Sequence, residues 1–409
     1  MSEPRADQTA TLLPDGRVLV VGGYNGFVAN VGGSNTSLNL AELFNASTDT
    51  WTRAAPMLVS RASQTATLLP DGRVLVVGGR ESPHVAETGS TAETYDPASN
   101  TWTPVAAPTE LQEVESATLL PSGWVFLAGL FAPKAYGATP GAALYDPASN
   151  TWERTAVPKH PRQDATTVLL ANGNVLSIGG FTYENLFPPV HTIYTVLATV
   201  EEYDPNTNEW TELTTMNEVR SQETATLMPN GQVLVTGGVN RFQNGGGWAS
   251  YAVNSTEIYD PATNTWTVLA PMALAREQHT ATLLPRGDVL VAGGGDCGGG
   301  EGCLGYGGSG DCCGASSAEL YDPSTNAWSF TSPVLTGVEH TATLIAGGDV
   351  LITGGNLEPI NMYELSNAAI YASSYPPDEP RTATNKSLTT VLRITNAAQS
   401  HKAWREGTA

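Results

Sequence analysis

The chain has 409 residues and a formal net charge of −21, with 40 acidic side chains against 19 basic ones. That balance excludes nucleic acid and anionic membrane surfaces as partners, since both require a basic face. No run of 18 apolar residues is available to span a membrane, and 42 Gly and 27 Pro with no amphipathic helical pattern describe a turn-rich, all-β chain.

Residues 1–8 contain no apolar segment resembling a secretory leader, so the chain reads as a trimmed mature form that runs straight into a strand. The stretch 5–23 recurs almost unchanged at 61–79, and edited copies begin near Gln112, Arg162, Arg220, Arg276 and Gly337. Each copy predicts a β-hairpin. Thr65-Ala66-Thr67-Leu68-Leu69 is one strand, Val74-Leu75-Val76-Val77 the next, and Asp71-Gly72 between them predicts a type I′ turn. The Val/Leu run is apolar without alternation, so both of its faces must be covered by protein.

A double glycine closes the second strand and a variable segment follows. A third strand comes next, as in Ala92-Glu93-Thr94-Tyr95, then a turn at residues 96–101, and Trp102 opens a fourth strand. The aromatic before the turn recurs at Phe44, Tyr95, Tyr145, Tyr203, Tyr259 and Tyr321, and the Trp at Trp51, Trp102, Trp152, Trp210, Trp266 and Trp328. Four strands in a period of roughly 50 to 60 residues predict a propeller blade. The seventh repeat has Gly354, Gly355 and Tyr371 but no Trp-led strand. Residues 1–372 are therefore expected to form a seven-bladed propeller, with 373–409 as a C-terminal extension. Within it, the β-prone stretch from Ser387 to Ile394 reads either as the outer strand of the seventh blade or as part of a tail outside the fold.

Double Gly, then Tyr, then Trp resembles the kelch repeat, and the resemblance implies an all-β, seven-bladed kelch propeller. Its strand order puts the short turns at one end of the blades. The segments after the double glycines and the inter-blade links lie at the other, and variable loops on a rigid scaffold are where binding concentrates. Tyr24, Phe181, Tyr183, Phe242, Trp248, Tyr251 and Tyr306 are the candidate ligand-binding residues there. On an acidic face they suit stacking on a sugar or peptide; the alternative is that they pack the loops onto the blades. Just before the first strands stand Gln8, Gln64, Glu115, Ala165, Glu223, His279 and His340, and one residue earlier Asp164 and its counterparts. His279, His340, Glu115, Glu223 and Asp164 are the candidates for an acid–base cluster, and the two histidines for a divalent metal at the channel mouth. The alternative is a polar lining for a water-filled channel.

Gly293-Gly294-Gly295-Asp296-Cys297, a Gly-rich run opening a cysteine-bearing loop, resembles galactose oxidase and its copper-radical relatives. Those are seven-bladed kelch propellers with copper at the channel mouth. Only His279 carries over: Gln278 stands at one tyrosine of that pattern, Ser63 at or near the other, and no cysteine outside 297–313 could form the crosslink. Copper-radical chemistry is therefore not expected, and no cofactor is required. Cys297, Cys303, Cys312 and Cys313 crowd one Gly-rich loop. Two disulfides in an oxidising compartment are expected, with a zinc site as the rival. The leading expectation is a monomeric, extracellular or cell-surface binding propeller for a glycan or protein. The alternative is a metal- or acid–base-assisted enzyme at the channel mouth.

Overall fold

The computed structural model describes residues 1–25, 36–80, 91–108, 111–134, 137–186, 191–244, 247–296, 313–314, 317–331, 337–356, 368–373 and 392–395. Every regular element among them is a β-strand. Seven four-stranded antiparallel sheets form the blades. Their first strands are Thr9–Leu12, Thr65–Leu68, Leu111–Leu119, Thr166–Leu169, Thr224–Leu227, Thr280–Leu283 and Thr341–Leu344. Each neighbours the next, and the seventh neighbours the first, so the ring is closed. In the seventh sheet the outer strand is Leu392–Thr395, paired with Ala368–Tyr371.

The second strands, such as Val74–Val77 and Val175–Ile178, are buried along their whole length. Their apolar side chains pack between neighbouring sheets, Val74 and Val76 with Leu19 and Val21 of the preceding blade. The core is thus a set of inter-blade layers.

The hairpin turn corrects the expectation from Asp-Gly. Leu13 N donates to Arg17 O and Gly16 N to Leu13 O, 2.8 and 3.0 Å. Of the turn residues only Gly16 has positive φ, 83°. This is a type I turn closed by a glycine bulge, since Asp15, which a type I′ turn would need at positive φ, is not among the left-handed residues; blade four makes the same turn with Ala171 in place of Pro14.

Between third and fourth strands the aromatics pair across the ladder, Tyr95 on Trp102 with ring centroids 5.0 Å apart. The Tyr95 hydroxyl donates to Asn100 Oδ1, 3.0 Å, and Asn100 holds the left-handed turn at φ 54°. Asn100 Oδ1 also accepts from Ala55 N, and Trp102 Nε1 donates to Ala55 O, 2.9 and 2.8 Å. One Tyr-Asn-Trp set therefore closes its own turn and grips the preceding blade. Blade one has Phe44 in place of the Tyr, so this hydroxyl bond is absent, and Asp49 in place of the Asn holds the same left-handed turn at φ 54°.

Candidate functional site at the loop face and channel mouth

Beyond the double-glycine positions, blades three, four and five carry tall hairpins. In blade three, Val125–Lys134 pairs with Gly137–Asp146; no second glycine follows Gly129, so the ladder continues past it. Blade four adds Phe181–Leu186 paired with His191–Val196, and blade five adds Val239–Asn244 paired with Gly247–Ala252. Gly137–Asp146 lies against Phe181–Leu186, and His191–Val196 against Val239–Asn244, giving one continuous wall beside the mouth. Phe181 is buried in it, 5.9 Å from the Tyr194 ring, and the Arg241 guanidinium sits 5.7 Å from the Phe181 centroid. Asn240 Nδ2 donates to the Tyr251 hydroxyl, 2.9 Å, while Tyr194 is 37 % exposed.

Tyr183 occupies the register position opposite Tyr194, Phe242 that opposite Ala249, and Trp248 that opposite Gln243. Tyr306, Cys297, Cys303 and Cys312 lie outside the described residues, and Cys313 is described only as the backbone partner of Asp296. The disulfide expectation therefore falls outside them too.

At the mouth itself, Asp7, Ser63, Asp164, Gln222, Gln278 and Glu339 all adopt left-handed backbone, φ 50–59°, a conformation that non-glycine residues hold only when their surroundings fix it. The fixing contacts are mutual. Asp7 N donates to Glu339 O and Ser63 N to Asp7 O; on the other side Gln222 N donates to Asp164 O and Gln278 N to Gln222 O. Blade three interrupts this chain with a bulged strand around Val114. Side chains add to it. Ser63 donates to Asp7, Gln222 Nε2 to Asp164 Oδ2 at 2.7 Å, and the Tyr24 hydroxyl to Glu339. Asn356 Nδ2 reaches both Tyr24 and Glu339 at 2.8 Å. Tyr24 is thus held in a network at the blade-seven–blade-one boundary. Burial raises the Asp7 carboxyl above its usual range, against the lowering hydrogen bond from Ser63 and the charge of Arg80.

The residues immediately before the first strands act as wedges between blades. Gln8 Nε2 donates to Thr353 O and Gln64 Nε2 to Val21 O, 2.8 and 2.9 Å, each reaching into the preceding blade. His279 and His340 take the same position. His279 Nε2 lies 3.0 Å from Thr224 Oγ1 and 3.2 Å from Thr236 Oγ1. His340 Nε2 lies 2.9 Å from Thr280 Oγ1 and Nδ1 3.0 Å from Gly337 O. Burial lowers His279 to about 3 and His340 to about 4, so both rings are neutral near pH 7. Glu223 is 4 % exposed, and neither carboxyl oxygen has a hydrogen-bond partner among the described residues. Burial raises it to about 8. The wedge packs against the first glycine of the preceding blade: a β-carbon on Gly179 would come 2.5 Å from Glu223 Oε1 and 2.6 Å from Arg220 O. Asp164, by contrast, is exposed, and Glu115 is partly buried.

Sequence reasoning missed a buried ion pair repeated in five blades: Arg5–Glu42, Arg61–Glu93, Arg162–Glu201, Arg220–Glu257 and Arg276–Glu319, at 2.6–3.0 Å. Each arginine also donates to the first-glycine carbonyl, as Arg220 Nη1 does to Gly237 O at 2.8 Å. Each glutamate accepts a backbone N–H from the segment that precedes its blade, as Glu257 does from Asn217 and Glu42 from Ser2. The pair satisfies the groups left open where the ladder breaks. Its sequence signal was a recurring Arg three residues before the wedge and a recurring Glu two residues before the aromatic. In blades three and seven Gln112 and Gly337 replace the Arg, and Ala143 and Ala369 the Glu. Both partners leave together, as a buried pair requires.

The kelch motif matches residues 8–58, 61–109, 166–217 and 224–273. The bulged third blade and the cysteine-bearing sixth lie outside those matches. Among curated proteins, galactose oxidase of Gibberella zeae is 26 % identical over 67 % of this chain and 41 % of its own length. Human Kelch-like protein 23 is 28 % identical over 64 % of this chain and 41 % of its own. The chain thus spans about two fifths of these relatives. A solved copper complex of a fungal alcohol oxidase of the AA5 family superposes with a TM-score of 0.62 over 87 % of this chain and 71 % of that one. At 19 % identity, that likeness shows the fold. His279, the one residue the resemblance carries over toward such a site, is enclosed between two threonine hydroxyls. Among the described residues no three His, Cys, Asp or Glu side chains group so as to hold a metal ion.

Proposed function

Because the chain is a seven-bladed kelch-repeat β-propeller, we propose that it is a binding module whose loop face takes a glycan or a protein. The observation that carries this reading is the three-hairpin wall of blades three to five. It stands beside the mouth on a rigid ring and carries Phe181, Tyr183, Tyr194, Phe242, Trp248 and Tyr251 along its strands. Aromatics on an acidic surface favour neutral or cationic ligands over anionic ones. The galactose oxidase relatives support a carbohydrate, and the Kelch-like relatives a protein. The cysteine-dense loop supports an extracellular or cell-surface setting with its thiols paired. A glycan array and a pull-down, each run with wild type, Trp248→Ala and Tyr194→Ala, test the reading. Ligand capture lost in the variants with unchanged melting supports it. Capture unaltered in both variants places the site elsewhere.

A second reading, acid–base catalysis at the mouth, rests on Asp7, whose carboxyl is raised by burial beside Ser63 and Tyr24. Turnover of any substrate that Asp7→Asn abolishes while leaving binding intact would favour it.

A further inference from the structure

The asparagine and tryptophan that grip the preceding blade form a clamp for the main chain of one residue, and blades two to six each hold one. The clamped residues are Ala55, Ala106, Ala156, Thr214 and Ala270. In each, the backbone N–H donates to the turn asparagine Oδ1 at 2.8–3.1 Å. The carbonyl oxygen of the same residue accepts from the tryptophan Nε1 at 2.6–3.0 Å. The clamped residue stands four positions after the tryptophan of the preceding blade, as Ala55 does after Trp51.

Blade one has the same clamp with nothing in it. Trp51 packs on Phe44 with ring centroids 5.0 Å apart, as Trp102 does on Tyr95. Asp49 holds its turn at φ 54°, as Asn100 does, and its carboxylate keeps an acceptor oxygen where the asparagines have theirs. Yet Trp51 Nε1 is buried and has no hydrogen-bond partner among the described residues. A buried indole donor left without an acceptor is costly.

The strand register shows what is due there. In blade one Trp51 lies opposite Phe44, and three residues on Ala54 N donates to Ala41 O. In blade seven Leu392 lies opposite Tyr371, and three residues on Thr395 lies opposite Ala368. Thr395 therefore corresponds to Ala54, and Asn396, which follows it, to the clamped Ala55. Blade seven precedes blade one around the ring, so Asn396 is the residue that this clamp would receive. A diffusing ligand fits worse, because the indole N–H is enclosed and the demand is for one donor and one acceptor set as in a single peptide residue. We propose that the clamp of blade one binds Asn396 of the same chain, which donates its N–H to the Asp49 carboxylate and accepts from Trp51 Nε1 through its carbonyl oxygen. The contact fastens the segment after the outer strand of blade seven across the seam to blade one. It is independent of the reading of the loop-face wall.

Exchange of the indole N–H protons, followed by NMR on the full chain, tests it, with the five filled clamps as internal standards. Trp51 is expected to exchange as slowly as Trp102 and Trp328. Asn396→Pro removes the N–H and should speed exchange at Trp51 roughly tenfold, the loss of about one good hydrogen bond, with the other five unchanged. Asn396→Ala should leave the rate alone, because the clamp reads main chain and four of its five guests are alanine. Asp49→Gly keeps the positive φ but deletes the acceptor. It should speed exchange of the Asn396 amide, whereas Asp49→Asn should not, and this pair decides should Asn396→Pro fail to fold. A Trp51 indole that exchanges like free indole in wild type overturns the proposal. So does a Trp51 rate unmoved by Asn396→Pro, an equal loss in Asn396→Ala, or an Asn396 amide indifferent to Asp49→Gly. Protection that rises with protein concentration also overturns it, since a second copy would then fill the clamp.

Discussion

Where Gln8 and Gln64 bridge two blades through a side-chain amide, blade five has Glu223, and the substitution carries a pH dependence. A protonated carboxyl has the shape of the amide and one O–H donor, which a carboxylate lacks. Its folded pKa is raised to about 8 from an ordinary 4.5, chiefly by burial. The unfolded chain therefore releases this proton first, and stability falls as pH rises through that window. Glu223→Gln should remove the slope and stabilise the protein by on the order of 3 kcal/mol at pH 8, with little effect at pH 4; denaturant melts across that range check it. His279 and His340 act in the opposite sense. Their folded values are lowered to about 3 and about 4 from 6.5, so the stability they contribute is present above pH 6.5 and lost as pH falls toward those values. The double His279→Gln/His340→Gln variant should flatten the acid limb of the same curve. The buried ion pairs make a third test at this scale. Arg220→Met leaves Glu257 unpaired at 1 % side-chain exposure and should cost about 3–5 kcal/mol. Arg220→Met/Glu257→Met should recover much of that, as blades three and seven manage without either charge. Additive losses in a double-mutant cycle would refute the pairing argument.

At the scale of the strand and hairpin, the repeated words were legible because each is over-determined. The Thr-Ala-Thr-Leu and Val-Leu-Val-Val runs, the Tyr–Trp ladder and the double glycine all point to one element. The double glycine also shows where legibility stops. Its left-handed backbone could be expected from the residue type, but its second cause is the wedge of the next blade, which no local reading can place. Gly179→Ala combines φ 60° with a β-carbon 2.5 Å from Glu223 Oε1 and 2.6 Å from a backbone carbonyl. It should destabilise by about 3 kcal/mol or more, whereas Gly16→Ala, with open space around it, should cost only about 1–2 kcal/mol for its φ. Equal losses in thermal melts would mean that the wedge contact contributes nothing. The segments after the double glycines of blades four and five read as loops in the sequence, yet form six-residue paired strands. Their pairing is with one another and with neighbouring blades, a long-range outcome that alternation over so few residues could not signal. In the same way His279 and His340 were legible as a pair of equivalent positions, but their enclosure by threonines depends on how neighbouring blades meet.

On the scale of the whole ring, the boundary between blades seven and one is set apart by its covalent connection, and it also carries the Tyr24–Glu339–Asn356 contacts. Among the described residues no inter-blade link crosses it, yet its wedge and backbone contacts copy those inside the ring. Gln8 Nε2 donates to Thr353 O as Gln64 Nε2 does to Val21 O, at 2.8 and 2.9 Å. Gly355 N donates to Arg5 O as Gly23 N does to Arg61 O, both at 3.0 Å. The apolar layer is likewise equivalent, with Val18, Val20 and Phe44 packed on Ile345 and Leu351. Where the wedge and backbone contacts are the same, opening at the seam exposes one inter-blade layer and breaks the Tyr24 contacts without straining a link, whereas opening anywhere else must also stretch one. Local opening should therefore begin at this boundary. Amide exchange of Asp7 and Gly355, whose N–H groups cross it, is expected to be faster than that of Ser63 and Gly23, their counterparts one boundary along. Gln8→Ala and Gln64→Ala delete the same side-chain contact on the two sides of this comparison. The first should speed exchange of the seam amides by roughly tenfold, about 1.4 kcal/mol of opening free energy. The second should leave its own boundary protected, because residues 54–61 tether the reopened blades and close them again. Identical exchange at the two boundaries in wild type, or equal acceleration by the two substitutions, would show that tethering plays no part and that the ring opens as one unit.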